Sequence, residues 1–243
     1  MKKHIPNFIT LLNLFCGCVA VVFAVMNQLE FAAVFVFLGI FFDFLDGFAA
    51  RILNVKSEIG VQLDSLADMV TSGVVPGIVM FQLLNMAQKD GWNLDLFGMH
   101  SQVGLLPLSG FIITLASAYR LAKFNVDENQ VSSFLGLPTP ANTLLILSLP
   151  LILFYQNNET LSVVILNQWF LIGLTILSAF LLNSRIELFA LKFENWSFKD
   201  NGIKYLFLIG SLVLLLTMKF LAIPFIVVGY ILASIIEKQF LAN

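Results

Sequence analysis

Charge is scarce in this sequence. Only 12% of its 243 residues are Asp, Glu, Lys or Arg, well below the roughly 25% typical of soluble domains. There is no block of Lys or Arg, and the formal net charge is -2. No surface is therefore offered to a phosphate backbone, and no nucleic-acid partner is expected. Cysteine is nearly absent too. Cys16 and Cys18 lie too close together for an ordinary disulfide and lack companions at metal-ligand spacing, so both read as packing residues. Low-complexity tracts and convincing internal repeats are missing. The longest polar stretches, near 87–101, 125–138 and 184–203, are too short to fold alone, which leaves 1–243 as a single transmembrane domain.

Apolar sequence fills the rest, at 59% of the chain. Runs near 8–27, 31–53, 58–86, 102–124, 139–156, 162–183, 204–218 and 220–236 approach or exceed the ~20 residues that cross a hydrocarbon core. They are continuous rather than alternating, and only helices and closed barrels span bilayers, so they read as helices. The last two form one long stretch broken by Lys219 and Pro224 and are expected to fold back as a hairpin. The fold class is thus all-α, a polytopic bundle of about eight transmembrane helices.

With both termini in the cytoplasm, the inner ends collect Lys2, Lys3, Arg51, Lys56, Arg120, Lys123, Arg185, Lys192, Lys199, Lys204 and Lys238. Only Lys89 and Lys219, of the 13 Lys and Arg, fall outside. That asymmetry is what the positive-inside rule requires. Met1-Lys2-Lys3-His4 ahead of an apolar run looks like a secretory signal, with Cys18 as a lipoprotein site. The run continues past Cys18 through Val21, Val22, Phe23, Ala24 and Val25 without a small-x-small site, so it is expected to stay as a first helix. The loop at 184–203 mixes charge with Phe193, Trp196 and Phe198 and is expected to form a short interfacial helix.

Four aspartates break the apolar pattern. Asp43, Asp46, Asp64 and Asp68 sit within otherwise apolar helices, where an ionisable residue costs about 2.5–3.5 kcal/mol on insertion scales and is a functional candidate by default. Asp43 and Asp46 are i, i+3, about 60° apart around a helix, and Asp64 and Asp68 are i, i+4, about 40° apart. A short connection near 54–57 turns the two helices antiparallel and brings the pairs together. Four converging carboxylates repel one another, and a hard divalent cation, Mg²⁺ or Mn²⁺, relieves that repulsion. No His or Cys lies in the hairpin to hold zinc or iron. Gly47 and Gly60 leave room near the backbone, and Arg51 adds a cation suited to phosphate oxygens. The competing structural reading satisfies the aspartates by interhelix hydrogen bonds or ion pairs, but the hairpin offers only Arg51 and Lys56 as cations, too few to neutralise all four.

Residues 43–68 read DFLDGFAARILNVKSEIGVQLDSLAD. This resembles the full signature of the CDP-alcohol phosphatidyltransferase family, D-x2-D-G-x2-A-R-x8-G-x3-D-x3-D, without departure. The resemblance implies cleavage of a CDP-linked lipid, transfer of its phosphoryl-alcohol part to a hydroxyl, and release of CMP. It further implies that Asp43, Asp46 and Asp64 hold metal, two ions in all, and that Asp68 both contacts metal and acts as general base. Gly47, Ala50, Arg51 and Gly60 match positions of the CDP-lipid pocket, and a homodimer is implied as well.

Segments outside the hairpin are similar to the serine-accepting members of that family. They are Ile5-Pro6-Asn7-Phe8-Ile9-Thr10-Leu11-Leu12-Asn13-Leu14, Arg120-Leu121-Ala122-Lys123-Phe124-Asn125 and Phe134-Leu135-Gly136-Leu137-Pro138-Thr139-Pro140-Ala141. Lys123 stands where Arg is common and Asn142 where Ala is usual. The implied substrates are CDP-diacylglycerol and L-serine, in a prokaryotic cytoplasmic (inner) membrane with the active site facing the cytoplasm. Serine carries a carboxylate, so Arg120, then Lys123 and Arg185, are candidate acceptor contacts; the competing reading of each is a membrane anchor. Asn7 and Thr10 are candidate nucleotide contacts, with an N-terminal helix cap as the competing reading. Pro138 and Pro140 read as a rigid helix entry. Rival functions are the same chemistry on glycerol-3-phosphate or inositol, an intramembrane prenyltransferase using Mg²⁺, and a cation transporter.

Overall fold

A computed structural model describes residues 4–55, 57–89, 104–126, 133–156, 158–189 and 198–241. The chain forms helices α1 (His4–Val25), α2 (Leu29–Ile52) and α3 (Glu58–Asp68), and then a π-helical segment, Met69–Val74, that runs on into α4 (Val75–Lys89). A 3₁₀ turn, Pro107–Phe111, leads into α5 (Ile112–Val126). After β1 (Ser133–Leu135) come α6 (Thr139–Tyr155), α7 (Glu159–Ile165), α8 (Gln168–Asn183), β2 (Glu187–Phe189), α9 (Phe198–Met218) and α10 (Ala222–Leu241).

Among the described residues four stretches are long and apolar enough to cross a membrane: His4–Val25, Leu29–Ile52, Glu58–Gln88 and Asn201–Glu237. The pair α7 and α8, bent by 61°, makes a fifth if counted as one span. Large apolar side chains such as Phe8, Phe15, Phe41, Phe44 and Leu115 point outward, which is stable only against lipid or a partner. The protein is an integral membrane protein. By length alone Asn201–Glu237 is one span, yet Lys219 takes a left-handed backbone, φ 52°. Lys204 Nζ lies 3.8 Å from Glu237 Oε1, so α9 and α10 run back along each other as the expected hairpin.

Close packing begins with small residues. The buried face of α1 carries Thr10, Asn13, Cys16, Gly17, Ala20 and Ala24, a helical spacing that lets α2 approach through Ala32, Ala33, Val36 and Gly39. Cys16 packs there as expected, whereas Cys18 is exposed and free, on the other side of the helix. Gln82 of α4 donates to the carbonyls of Ala24 and Val25, at 2.9 and 3.1 Å, satisfying the orphan acceptors at the end of α1.

The π segment has no signature in the sequence. A π turn frees carbonyls from the regular α pattern, and neighbouring hydroxyls take them: Thr143 Oγ1 donates to Ser72 O and Thr114 Oγ1 to Gly73 O, both at 2.9 Å.

Of the interfacial helix expected over 184–203, the part before residue 190 is not helical, while Phe198 opens a helix that kinks at Asn201. Glu187–Phe189 instead pairs antiparallel with Ser133–Leu135, Phe134 opposite Leu188, and Phe193 and Trp196 lie outside the described residues. The ribbon forms because Leu188 and Phe189 are buried. Leu188 joins Leu137, Leu145 and Val227 in an apolar cluster, and Tyr230 Oη donates to Phe189 O at 2.7 Å. Gly136, φ 73°, docks this ribbon on the end of α8, and its N–H donates to Ile186 O at 2.9 Å. A Cβ there would stand 2.5 Å from Leu182 O, so only glycine fits. Pro138 and Pro140 open α6, as the sequence reading expects.

Candidate active site

Three helices build the acidic centre. Helix α2 supplies Asp43 and Asp46, and α3, whose first turn is capped by Ser57 Oγ accepting from Gly60 N at 2.9 Å, supplies Asp64 and Asp68. Carboxylate oxygens of Asp43, Asp46 and Asp64 lie within 4.8 Å of one another. Asp68 stands outside that group of three and is engaged elsewhere: Asn13 Nδ2 donates to its Oδ1 at 3.3 Å. Among the described residues no Lys or Arg side chain comes within ion-pair distance of any of the four, whereas interhelix hydrogen bonds reach Asp46 from Thr10 and Asp68 from Asn13. Asp64 Oδ1 is buried with no hydrogen-bond partner among the described residues. Buried carboxylates without cations need a neutralising group, and an all-oxygen cluster fits a hard divalent ion.

Helix α1 is the third wall and the part that hairpin spacing alone could not reveal. Thr10 Oγ1 lies 2.6 Å from Asp46 Oδ2, a short contact to a charged acceptor, and 3.1 Å from Pro6 O. One turn on, Asn13 is wholly buried, and its Oδ1 accepts from Thr71 Oγ1 at 2.8 Å. Thr10 and Asn13 therefore each hold one aspartate from opposite ends of the acidic cluster. The sequence reading offers Thr10 as a nucleotide contact or helix cap and does not single out Asn13.

The remaining candidates divide. A Cβ at Gly47 would meet nothing within 4 Å, so its backbone faces open space beside Asp46. Gly60 is different, since a Cβ there would stand 2.8 Å from Ser57 Oγ and 3.1 Å from Asn7 Oδ1. It lets α1 and the cap of α3 close together, and Asn7 sits at that junction. Ala50 is half-buried and Arg51 exposed, with Arg51 Nε donating to Gly47 O at 3.0 Å along its own helix. Arg120 faces Asp68 electrostatically and has a buried Nε with no partner among the described residues. Arg120 and Lys123 line one crevice with Phe124, Leu135, Leu182, Asn183 and Ser184, whereas Arg185 is exposed and not part of that lining. Asn125 ties α5 to the outer side of α3, accepting from Ser65 Oγ at 3.0 Å and donating to Gln62 Oε1 at 3.4 Å.

An apolar helical bundle that gathers three carboxylates within 4.8 Å of one another fits a membrane enzyme with a candidate metal centre. Residues 3–182 match the family model described as CDP-alcohol phosphatidyltransferase, and the chain belongs to that family. The CDP-diacylglycerol–serine O-phosphatidyltransferase of Bacillus subtilis (strain 168) is 34% identical over 138 residues, 57% of this chain and 70% of that protein. The protein of the same name from Methanocaldococcus jannaschii is 31% identical over 162 residues, 66% of this chain and 68% of its own. That of Helicobacter pylori (strain J99) is 32% identical over 143 residues, 58% of this chain, and the match spans 54% of the relative.

Proposed function

We infer that this chain moves the phosphatidyl group of CDP-diacylglycerol onto the hydroxyl of L-serine and releases CMP. The observation that carries the reading is the cluster of Asp43, Asp46 and Asp64 within 4.8 Å, set in a family whose serine-transferring members this chain resembles. Asp43, Asp46 and Asp64 are the groups to hold metal, two Mg²⁺ or Mn²⁺ ions, with Asp68 at their edge. Bound there, the ions would neutralise pyrophosphate charge as CMP departs.

The chain's own residues do the rest. Gly47 leaves its backbone bare where the donor approaches, Ala50 keeps that wall low, and exposed Arg51 supplies a cation for phosphate oxygens. Gly60, Asn7 and Thr10 form the wall opposite. Asp68 takes the proton of the serine hydroxyl as the Oγ–P bond forms. The P–O bond to CMP breaks in the same displacement, and CMP leaves with the electron pair. Arg120, with Lys123 and Arg185 nearer the surface, receives the serine carboxylate; its unpartnered Nε supports that role.

All 243 residues act as one transmembrane domain, α10 packing Val227 against Leu137 and Leu188. Eight passes with both termini in the cytoplasm place the aspartates at the cytoplasmic end, in a prokaryotic inner membrane, where soluble CMP can depart. Eleven of 13 Lys and Arg on that side support this orientation. The active form is a homodimer. Purified protein given CDP-diacylglycerol, Mn²⁺ and labelled serine should form labelled lipid and CMP in equal amounts. Absence of serine incorporation together with transfer to glycerol-3-phosphate would overturn the acceptor.

A further inference from the structure

Two buried side chains outside the family motif are aligned on Asp68. Asn13, on α1, and Thr71, in the π segment, are both without solvent exposure. Thr71 Oγ1 lies 2.8 Å from Asn13 Oδ1, and Asn13 Nδ2 lies 3.3 Å from Asp68 Oδ1. An ionised carboxylate only accepts, so the amide must turn its NH₂ toward Asp68. Its oxygen then faces Thr71, whose hydroxyl must donate. The chain of bonds has one direction, from Thr71 through Asn13 to Asp68.

The surroundings hold this chain in place. A Cβ on Gly17 would stand 2.5 Å from Thr71 Oγ1, and one on Gly39 would stand 2.7 Å from Thr71 Cγ2 and 2.9 Å from Asn13 Oδ1. Helices α1 and α2 thus close on Thr71 at two glycines, with no slack for the side chain to turn. Thr143 and Thr114 hold the next two carbonyls of the π segment, so the backbone carrying Thr71 is fixed from α5 and α6 as well.

We propose that Asn13 and Thr71 are positioning residues for the transfer step: the relay occupies Asp68 Oδ1 and leaves Oδ2 as the oxygen presented to the acceptor hydroxyl. This rests on the reading of Asp68 as the base. A directed amide costs nothing to reorganise during reaction, which is how a preorganised group contributes to rate. Among the described residues neither the Asn13 nor the Thr71 side chain hydrogen-bonds to Asp43, Asp46 or Asp64; their partners are Asp68 and each other.

The test uses full-length protein in lipid nanodiscs. Thr71→Val keeps the shape and removes the donor, and Thr71→Ser keeps the donor. The expected result for Thr71→Val is a kcat lowered about tenfold, the equivalent of ~1.4 kcal/mol, with unchanged KM for serine and CDP-diacylglycerol. Mn²⁺ affinity, read by electron paramagnetic resonance, should stay unchanged, and Thr71→Ser should regain most of the rate. Asn13→Ala should lower kcat at least as far, and serves if Thr71→Val does not fold. Full kcat in either variant, equal losses in Thr71→Val and Thr71→Ser, or a loss confined to KM or Mn²⁺ affinity overturns the proposal. Asp68→Asn run alongside separates the two readings. If it stays active, the base assignment fails; if it is dead while Thr71→Val is normal, only the relay fails.

Discussion

The hydroxyl of Thr10 lies 2.6 Å from Asp46 Oδ2, joining the first helix to the acidic hairpin 36 residues away. The contact is buried, and its acceptor is one of the three aspartates that share the cluster. A hydrogen bond to a charged group contributes about 1.5–3 kcal/mol, so its loss should loosen the carboxylate it orients. Thr10→Val is expected to raise the Mn²⁺ concentration for half-maximal rate by about tenfold or more. Titrating Mn²⁺ at saturating CDP-diacylglycerol measures this. A shift in donor KM with an unchanged metal requirement would instead make Thr10 a nucleotide contact.

Asp68 lies outside the group of three that gathers within 4.8 Å and has its own amide partner in Asn13. Removing a general base typically costs 10²–10⁴ in rate. Asp68→Asn should therefore lose about a hundredfold or more in kcat while still binding CDP-diacylglycerol. Asp43→Asn should fail in a different way, by raising the Mn²⁺ requirement. Identical kinetic signatures in the two variants would remove the distinction between base and ligand.

Arg120 carries a buried Nε without a hydrogen-bond partner among the described residues, and its charge acts favourably on the Asp68 carboxylate. Arg120→Met keeps much of the apolar stem and deletes the cation. The expected result is a serine KM raised tenfold or more, about 1.4 kcal/mol of lost carboxylate binding, with donor KM nearly unchanged. Isothermal binding of CDP-diacylglycerol to the variant checks the second half. Equal weakening of both substrates would return Arg120 to the role of membrane anchor.

Much of this was readable before any coordinates, because a helical period converts spacing into facing. Asp43 with Asp46 and Asp64 with Asp68 had to share faces of two antiparallel helices, and the cluster follows from that. The role of α1 was not readable: Thr10 at a helix mouth looks like a cap, and only tertiary packing shows it against Asp46. The π segment was hidden for a related reason, since the weak helix formers of Met69–Val74 do not specify a π turn and the hydroxyls that sustain it come from Thr114 and Thr143, more than 40 residues on. The β-ribbon was missed because three-residue strands carry no period, and Glu187–Phe189 is a strand by virtue of its partner. Gly136 did stand in a recognisable segment, but its left-handed backbone against the end of α8 could not be inferred from the letter alone.

That glycine gives a stability test independent of catalysis. At φ 73° with a carbonyl 2.5 Å from the would-be Cβ, Gly136→Ala combines backbone strain with a steric clash. Strain of this kind costs about 1–3 kcal/mol, and the apolar cluster of Leu137, Leu188 and Val227 loses its register with the end of α8. The melting temperature in detergent should fall by several degrees. An unchanged melting temperature would mean that the ribbon docks without Gly136.

Gly47 and Gly39 lie on the same helix and invite opposite outcomes. A Cβ at Gly39 would meet Thr71 and Asn13 side chains below 3.0 Å, whereas one at Gly47 meets nothing within 4 Å. Among the described residues a side chain at Gly47 has no packing to disturb, and under the proposed function it would meet the CDP-linked donor. Gly47→Val is expected to fold with a near-normal melting temperature, since valine is a better helix former than glycine, and to raise the KM for CDP-diacylglycerol about tenfold or more. Gly39→Val should lose stability first, and with it every activity. Normal donor kinetics in Gly47→Val would show that the open space beside Asp46 is not where the donor lies.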